Sequence, residues 1–268
     1  METLLLSLFV LAVLVLLFGY IYSTMRKKTL PATAFPAAWR PVLAEQSVFY
    51  RELDPAARLQ FEHRIQVFLQ TTRITGVHTT VEDLDRLLVA TSAIIPIFAF
   101  PDWEYINLNE VLLYPDSFNH DFEQSGSDRA VLGMVGDGAL NGVMVLSQHE
   151  LRQAFSNKTS KTNTAIHEFA HLVDKTDGAV DGLPEVLVKQ SYVLPWLQAM
   201  QKEIKKIRDD RSDINPYGGT SEAEFFAVAA EYFFERPDLM EKKNPELYRL
   251  LRGIFLQQPD GSGKNASA

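Results

Sequence analysis

Residues 164–174 read TAIHEFAHLVD. Within them, His167 and His171 stand one helical turn apart, and Glu168 follows the first histidine. Side chains four apart on a helix are neighbours, so both imidazoles can converge on one ion. Glu168 is rotated about 100° from His167 and can reach a water at that ion without becoming a ligand. Two imidazoles, a Lewis acid and a nearby carboxylate are what metal-assisted peptide hydrolysis needs. The alternative is two ordinary histidines on an amphipathic helix. Against it, the surrounding AIHEFAHLV is strongly apolar, and an ionised Glu168 there is costly without a partner.

A helix over 160–175 must position these groups. Ile166, Phe169, Ala170 and Val173 follow a core-facing spacing, and His167, His171 and Asp174 form a second stripe beside them. Asp174 can either orient a ligand histidine or cap the helix end and hold the following loop. A catalytic zinc site generally has three protein ligands. The chain has no cysteine, so the third must be His, Asp or Glu. The acidic stretch SEAEFFAVAAEYFFE offers Glu222, Glu224, Glu231 and Glu235. Glu224 and Glu231 share a helix face, and spacing alone hardly separates them. Ser221-x-x-Glu224 also reads as a capping box, a local role that Glu231 lacks. His149-Glu150 repeats the first half of the motif, but position 153 is Gln. His63, His78 and His120 have no partner at ligand spacing.

At 268 residues and 46% hydrophobic content, the chain can bury one sizeable core. A net charge of −8 argues against gripping nucleic acid, which needs a basic surface. Leu4–Tyr22 is an uncharged apolar run about long enough to cross a bilayer, with Tyr20 and Tyr22 near its end and Arg26-Lys27-Lys28 after it. Residues 1–28 are therefore expected to be an uncleaved single-pass anchor in the inner (cytoplasmic) membrane, with the following domain facing the cytoplasm. A cleaved signal peptide ending near Ala32-Thr33-Ala34 is the rival, but the run has no basic region ahead of it.

Residues 29–40 read as a linker, 41–258 as the folded domain and 259–268 as a flexible tail. Helical patterns are expected over 41–70 (with a start at Asp54-Pro55), 79–93, 148–156, 160–175, 190–209, 220–235 and 244–257. IIPIFAF, EVLLYP, RAVLGMV and GVMVLS read as short strands between them, with a hairpin connection from Asp137-Gly138 to Asn141-Gly142. The class is α+β, mostly helical with a small sheet. GVMVLS, just ahead of the histidine motif, is the expected sheet edge for an extended peptide.

IHEFAHLVDKTDG and NPYGGTSEAEFFAVAAEYFFERP, with FLQTTRITGV and YINLNEVLLYPDSF upstream, resemble the Mlc titration factor A family of zinc metallopeptidases. The two active-site segments are also similar to the catalytic domain of anthrax lethal factor, in which a Tyr precedes a zinc-binding Glu by seven residues; Tyr217 and Glu224 match that spacing here. The resemblance implies a zincin-like fold and Zn²⁺ held by His167, His171 and Glu224, with Glu231 close behind. It also implies a peptide or protein substrate hydrolysed by zinc-activated water. Glu168 is then the general base and Tyr217 the donor to the developing oxyanion. The family's association with the glucose repressor Mlc implies a second possibility, a regulatory protein partner bound by a peptidase-like scaffold with little or no catalysis.

Overall fold

The computed structural model describes residues 34–119, 131–136, 141–184 and 190–256. The expected anchor (1–28) and tail (259–268) lie outside these residues. Among the described residues, no helix is long and apolar enough to cross a membrane.

The compact unit begins at Phe35. Phe35 is buried and meets Trp39 edge-on at 5.6 Å, so packing starts inside the segment read as a linker. Three helices follow: α1 (Trp39–Gln46), α2 (Val48–Glu52) and α3 (Pro55–Thr71). Asp54 caps α3 by accepting from the Ala57 N–H, with Pro55 in the first turn, as the sequence predicts. The helix α4 (Asp83–Ile94) starts with a reciprocal capping box between Glu82 and Asp85.

The expected strand at IIPIFAF does not form. Its first residue ends α4 and Ile95–Ile97 is a 3₁₀ turn. Ile94, Ile95 and Ile97 are all buried, and an apolar run buried all round has no periodicity to separate strand from helix. The other three expected strands are present: β2 (Glu110–Tyr114), β3 (Gly133–Val135) and β4 (Val143–Ser147). A fourth, β1 (Arg73–Gly76), was not expected; RITG is too short and polar to signal itself.

The sheet order is β1-β2-β4-β3. β1 and β4 run parallel to β2, and β3 runs antiparallel to β4 with Gly133 opposite Leu146. β3 and β4 thus pair as the predicted hairpin, whose connection ends on Gly142 at φ 84; its first half, Asp137-Gly138, lies outside the described residues. β4 is inside the sheet, and the expectation that GVMVLS forms the edge is corrected: among the described residues the edges are β1 and β3, the latter being β4's partner in the hairpin. Chain order hid this, because the hairpin folds the earlier strand to the outside.

The remaining helices are α5 (Gln148–Ser156), α6 (Thr164–Asp174), α7 (Gln190–Arg208), α8 (Glu222–Glu235), α9 (Pro237–Lys243) and α10 (Pro245–Phe255). α6 runs through the core. Ile166, Phe169, Ala170 and Val173 are fully buried, and Phe169 packs against Phe68 and Tyr105 at ring distances of 5.8 and 5.1 Å. α8 is buried along its length through Phe225, Phe226, Ala227, Ala229 and Ala230. These apolar faces hold α6 and α8 side by side.

Candidate metal centre

α6 begins at Asn163, whose side-chain oxygen accepts from the Ile166 N–H at 3.2 Å. From that start, His167 and His171 project on one face, their rings 4.7 Å apart and nearly perpendicular. Their Nε2 atoms face each other at 3.1 Å. Glu224, in the first turn of α8, brings its Oε2 to 3.0 Å from His167 Nε2 and 3.4 Å from His171 Nε2. Ser221 does cap the Glu224 N–H, so half of the expected capping box is present, but the Glu224 carboxylate turns to the imidazoles instead.

Glu231, two turns further along α8, approaches the other side of His167. Its Oε1 lies 2.7 Å from His167 Nδ1, and its Oε2 accepts from the Asn163 N–H at 2.6 Å. With the proton on Nδ1 directed at Glu231, the His167 Nε2 lone pair points towards Glu224 and His171. His171 has no corresponding support: its Nδ1 is buried without a hydrogen-bond partner among the described residues. Asp174 does not supply one. Its Oδ2 accepts from the Gly182 N–H at 2.9 Å, and the Gly182 carbonyl accepts from the Trp196 indole. This is the loop-holding role rather than the histidine-orienting one.

The donor set fits a bound cation. Two imidazole nitrogens and a carboxylate oxygen converge with no hydrogen-bond pattern that suits three lone pairs at once. Metal–ligand bonds of about 2.0–2.1 Å in a tetrahedron place neighbouring donors about 3.3 Å apart, close to the three separations here. Among the described residues, this is the one group of His, Asp and Glu atoms close enough to share a metal ion. Without a cation, the cluster draws a proton. Burial favours neutral His167, but the carboxylates of Glu224 and Glu231 outweigh it and raise its pKa to about 10. Burial likewise opposes the Glu224 charge, yet hydrogen bonds from His167 and His171 bring its pKa down to about 2.

Glu168 is buried beside this group. Desolvation raises its carboxyl pKa, partly opposed by His167 and His171. It packs against β3 so tightly that a Cβ on Gly133 would lie 2.7 Å from Glu168 Cγ. Tyr217 also lies near the cluster, in the 3₁₀ turn Pro216–Gly219. It is exposed, with its ring 6.0 Å from that of His167. Partial burial, then the charges of Glu224 and Glu168, raise its phenol pKa. Gly219 lets the turn lie against Ile207, where an added Cβ would come to 2.8 Å, and Gly218 lies close to Val228, where one would come to 3.3 Å. The expected site residues therefore meet in one place, apart from Asp174.

A family model described as glucose-regulated metallo-peptidase M90 matches residues 22–256. The chain belongs to this family. An uncharacterised protein of Synechocystis sp. is similar to this M90 protein, at 29% identity over 93% of this chain and 96% of its own. So are the Mlc titration factors A of Pectobacterium atrosepticum, 29% identical over 72% of this chain and 76% of its own, and of Escherichia fergusonii, 28% identical over the same shares. The likeness to the lethal factor catalytic domain remains a resemblance of the active-site segments alone. Membership in a metallo-peptidase family agrees with the donor set built by α6 and α8.

Sequence reasoning missed two residues of this M90 site. Asn163 fell inside the helix expected over 160–175, whereas the helix starts at Thr164 and Asn163 is its N-cap. Gly133 lay in an apolar strand, where glycine is a signal for close approach.

Proposed function

We propose that this M90 protein is a zinc-dependent peptidase. The observation that carries the reading is the convergence of His167 Nε2, His171 Nε2 and Glu224 Oε2, with buried Glu168 and the Tyr217 phenol both close enough to feel this cluster's charges. Two imidazoles and one carboxylate are a zinc-type donor set that leaves a position for chemistry. Zinc held there supplies a Lewis acid that acidifies water and polarises a carbonyl.

The chain's own groups do the rest. Glu231 holds the His167 proton on Nδ1, which keeps the Nε2 lone pair free for the metal. Glu168, its carboxyl pKa raised by burial, takes the proton of the attacking water and returns it to the leaving amine. The Tyr217 hydroxyl donates to the carbonyl oxygen as charge develops on it.

The substrate lies along β3. Leu132 and Gly136 bond to β4, so antiparallel alternation turns the backbone groups of Gly133 and Val135 away from it. On that side Val131 already exchanges backbone hydrogen bonds with Phe118, so an extended peptide has room only beyond it, beside Gly133 and Val135, where it passes Glu168. The test is zinc content and peptide hydrolysis with and without a chelator, on the wild type and on Glu168→Gln. The variant is expected to keep near-stoichiometric zinc and lose hydrolysis. A zinc-loaded wild type that cleaves no peptide of a diverse library sinks the catalytic reading.

A second reading rests on the relatives named Mlc titration factor A. It makes the same domain a binder of a regulatory protein, with the metal shaping the surface. Hydrolysis dependent on Glu168 separates the two.

The apolar Leu4–Tyr22 and the basic Arg26-Lys27-Lys28 support an anchor that holds the domain at the cytoplasmic face of the inner membrane. The full chain is then expected to sediment with membranes, and the chain without residues 1–28 to stay in the supernatant. A mature form beginning near Phe35 and found outside the cytoplasm counts against both anchor and location.

A further inference from the structure

We infer that Asn163 is a positioning residue that locks α6 to α8 and so sets where the three metal-ligating atoms meet. The inference rests on the metal reading above. Asn163 is completely buried and every polar group it carries is engaged across these two helices. Its carbonyl accepts from the His167 N–H at 2.9 Å, inside α6. Its side-chain oxygen caps the same helix at the Ile166 N–H. Its backbone N–H donates to Glu231 at 2.6 Å, and its side-chain Nδ2 donates to Glu235 Oε1 at 2.8 Å.

Glu231 and Glu235 stand one turn apart on α8, so one residue grips that helix at two successive carboxylates. This fixes both the rotation of α8 and its position along its axis relative to α6. Glu224 lies on the same face as Glu231, about 10 Å back along the axis at 1.5 Å per residue. A slip or roll at the clamp therefore moves the Glu224 carboxylate relative to both histidines. It also moves Glu231 on His167 Nδ1. The cap alone does not need Nδ2; an aspartate caps a helix equally well. The amide is required only by the grip on Glu235.

That difference makes the inference testable in the full-length protein. Asn163→Asp keeps the cap and loses the donor to Glu235. Glu235→Ala keeps Asn163 whole and removes its acceptor, and Glu235→Gln preserves an acceptor oxygen. The double variant N163D/E235Q restores a hydrogen bond of reversed polarity, from the amide introduced on α8 to the carboxylate introduced at the cap. Zinc affinity is measured by competition with a chelator, and ligand geometry by the visible spectrum of the cobalt(II)-substituted protein.

N163D and E235A are expected to lose about 10–100-fold in zinc affinity, the usual cost of disturbing a group behind a ligand, and to shift the cobalt bands. E235Q should stay near wild type, and the double variant should recover most of the affinity and the wild-type spectrum. The clamp is wrong if E235A and N163D bind zinc as tightly as wild type. It is also wrong if the double variant recovers neither affinity nor spectrum while folding normally. A wild type that takes up no zinc overturns the metal reading, and this inference falls with it; a zinc-binding wild type with unaffected variants overturns only the clamp.

Discussion

Gly133→Ala adds one methyl group at the place where β3 touches the proposed general base. A Cβ there would sit 2.7 Å from both Glu168 Cγ and Thr164 Cγ2, and 2.9 Å from Glu168 Oε1. Carbon atoms at optimal separation are about 3.5–4.0 Å apart, so the carbon overlaps are about 0.8 Å or more. The backbone of Gly133 is compatible with alanine, since its φ is outside the positive region, and the effect is steric. Thr164 belongs to the first turn of α6 and is hard to move. Glu168 is buried and has no solvent to swing into. Relief therefore comes from displacing Glu168 or the edge strand by about 1 Å. Overpacking of this kind costs about 1–3 kcal/mol of stability, and a misplacement of about 1 Å in a reacting group costs about 10²-fold in rate. Zinc should stay bound, because no metal-ligating atom meets the added methyl. The assay is kcat/KM on a cleavable peptide beside zinc content and the thermal midpoint. Wild-type kcat/KM in G133A would refute the placement of Glu168 against β3 as the catalytic arrangement.

Glu224→Ala should empty the metal site, whereas Glu231→Ala should weaken zinc by only about 10–100-fold, as expected for a group acting through His167; metal titration of both variants checks the order. Tyr217→Phe should keep zinc and fold but lose about 10²–10³ in kcat, the typical cost of one oxyanion donor, read by steady-state kinetics. Asp213→Asn should lower stability in a pH-dependent way. Burial opposes the Asp213 charge, but hydrogen bonds from Lys161, Tyr232 and Asn244 hold its carboxyl far below the usual range. A depressed carboxylate contributes stability above its unfolded pKa near 4 and loses it as pH falls further. The stability gap between wild type and D213N, followed through their thermal midpoints, should therefore be widest near pH 7, about 1–3 kcal/mol, and close progressively below about pH 4.

Much of the site was legible because it is written in local periodicity. HEFAH on an amphipathic stripe, flanked by a buried apolar face, has few readings once a helix is granted. The choice between Glu224 and Glu231 was not legible, because residues seven apart share a face and both reach the same imidazole. What separates them is where α6 crosses α8, a tertiary fact: Glu224 meets Nε2 and Glu231 meets Nδ1. The short strand RITG carried too little pattern to be seen. IIPIFAF carried the wrong one, since a short apolar run buried at Ile94, Ile95 and Ile97 shows neither a strand's nor a helix's periodicity. GVMVLS was correctly a strand, but its neighbours, which decide edge from interior, are set by pairing and not by its own residues. Asn163 was invisible for a similar reason: two of its four bonds reach a helix 68 and 72 residues away.

His167 and Glu224 are 57 residues apart in the chain, with all of α7 between them. No segment of the unfolded polypeptide can reproduce the donor set, because HEFAH alone offers only two nitrogens. On the proposed reading, metal occupancy is consequently linked to the folding equilibrium. A ligand that binds only the native state adds RT ln(1 + [L]/Kd), about 4.1 kcal/mol when free metal is a thousand times Kd. On that reading the reserve varies with the free metal concentration. During synthesis the loop between the two helices must close before any metal is held, so a ribosome-bound chain that ends within α7 has the histidines and yet no site.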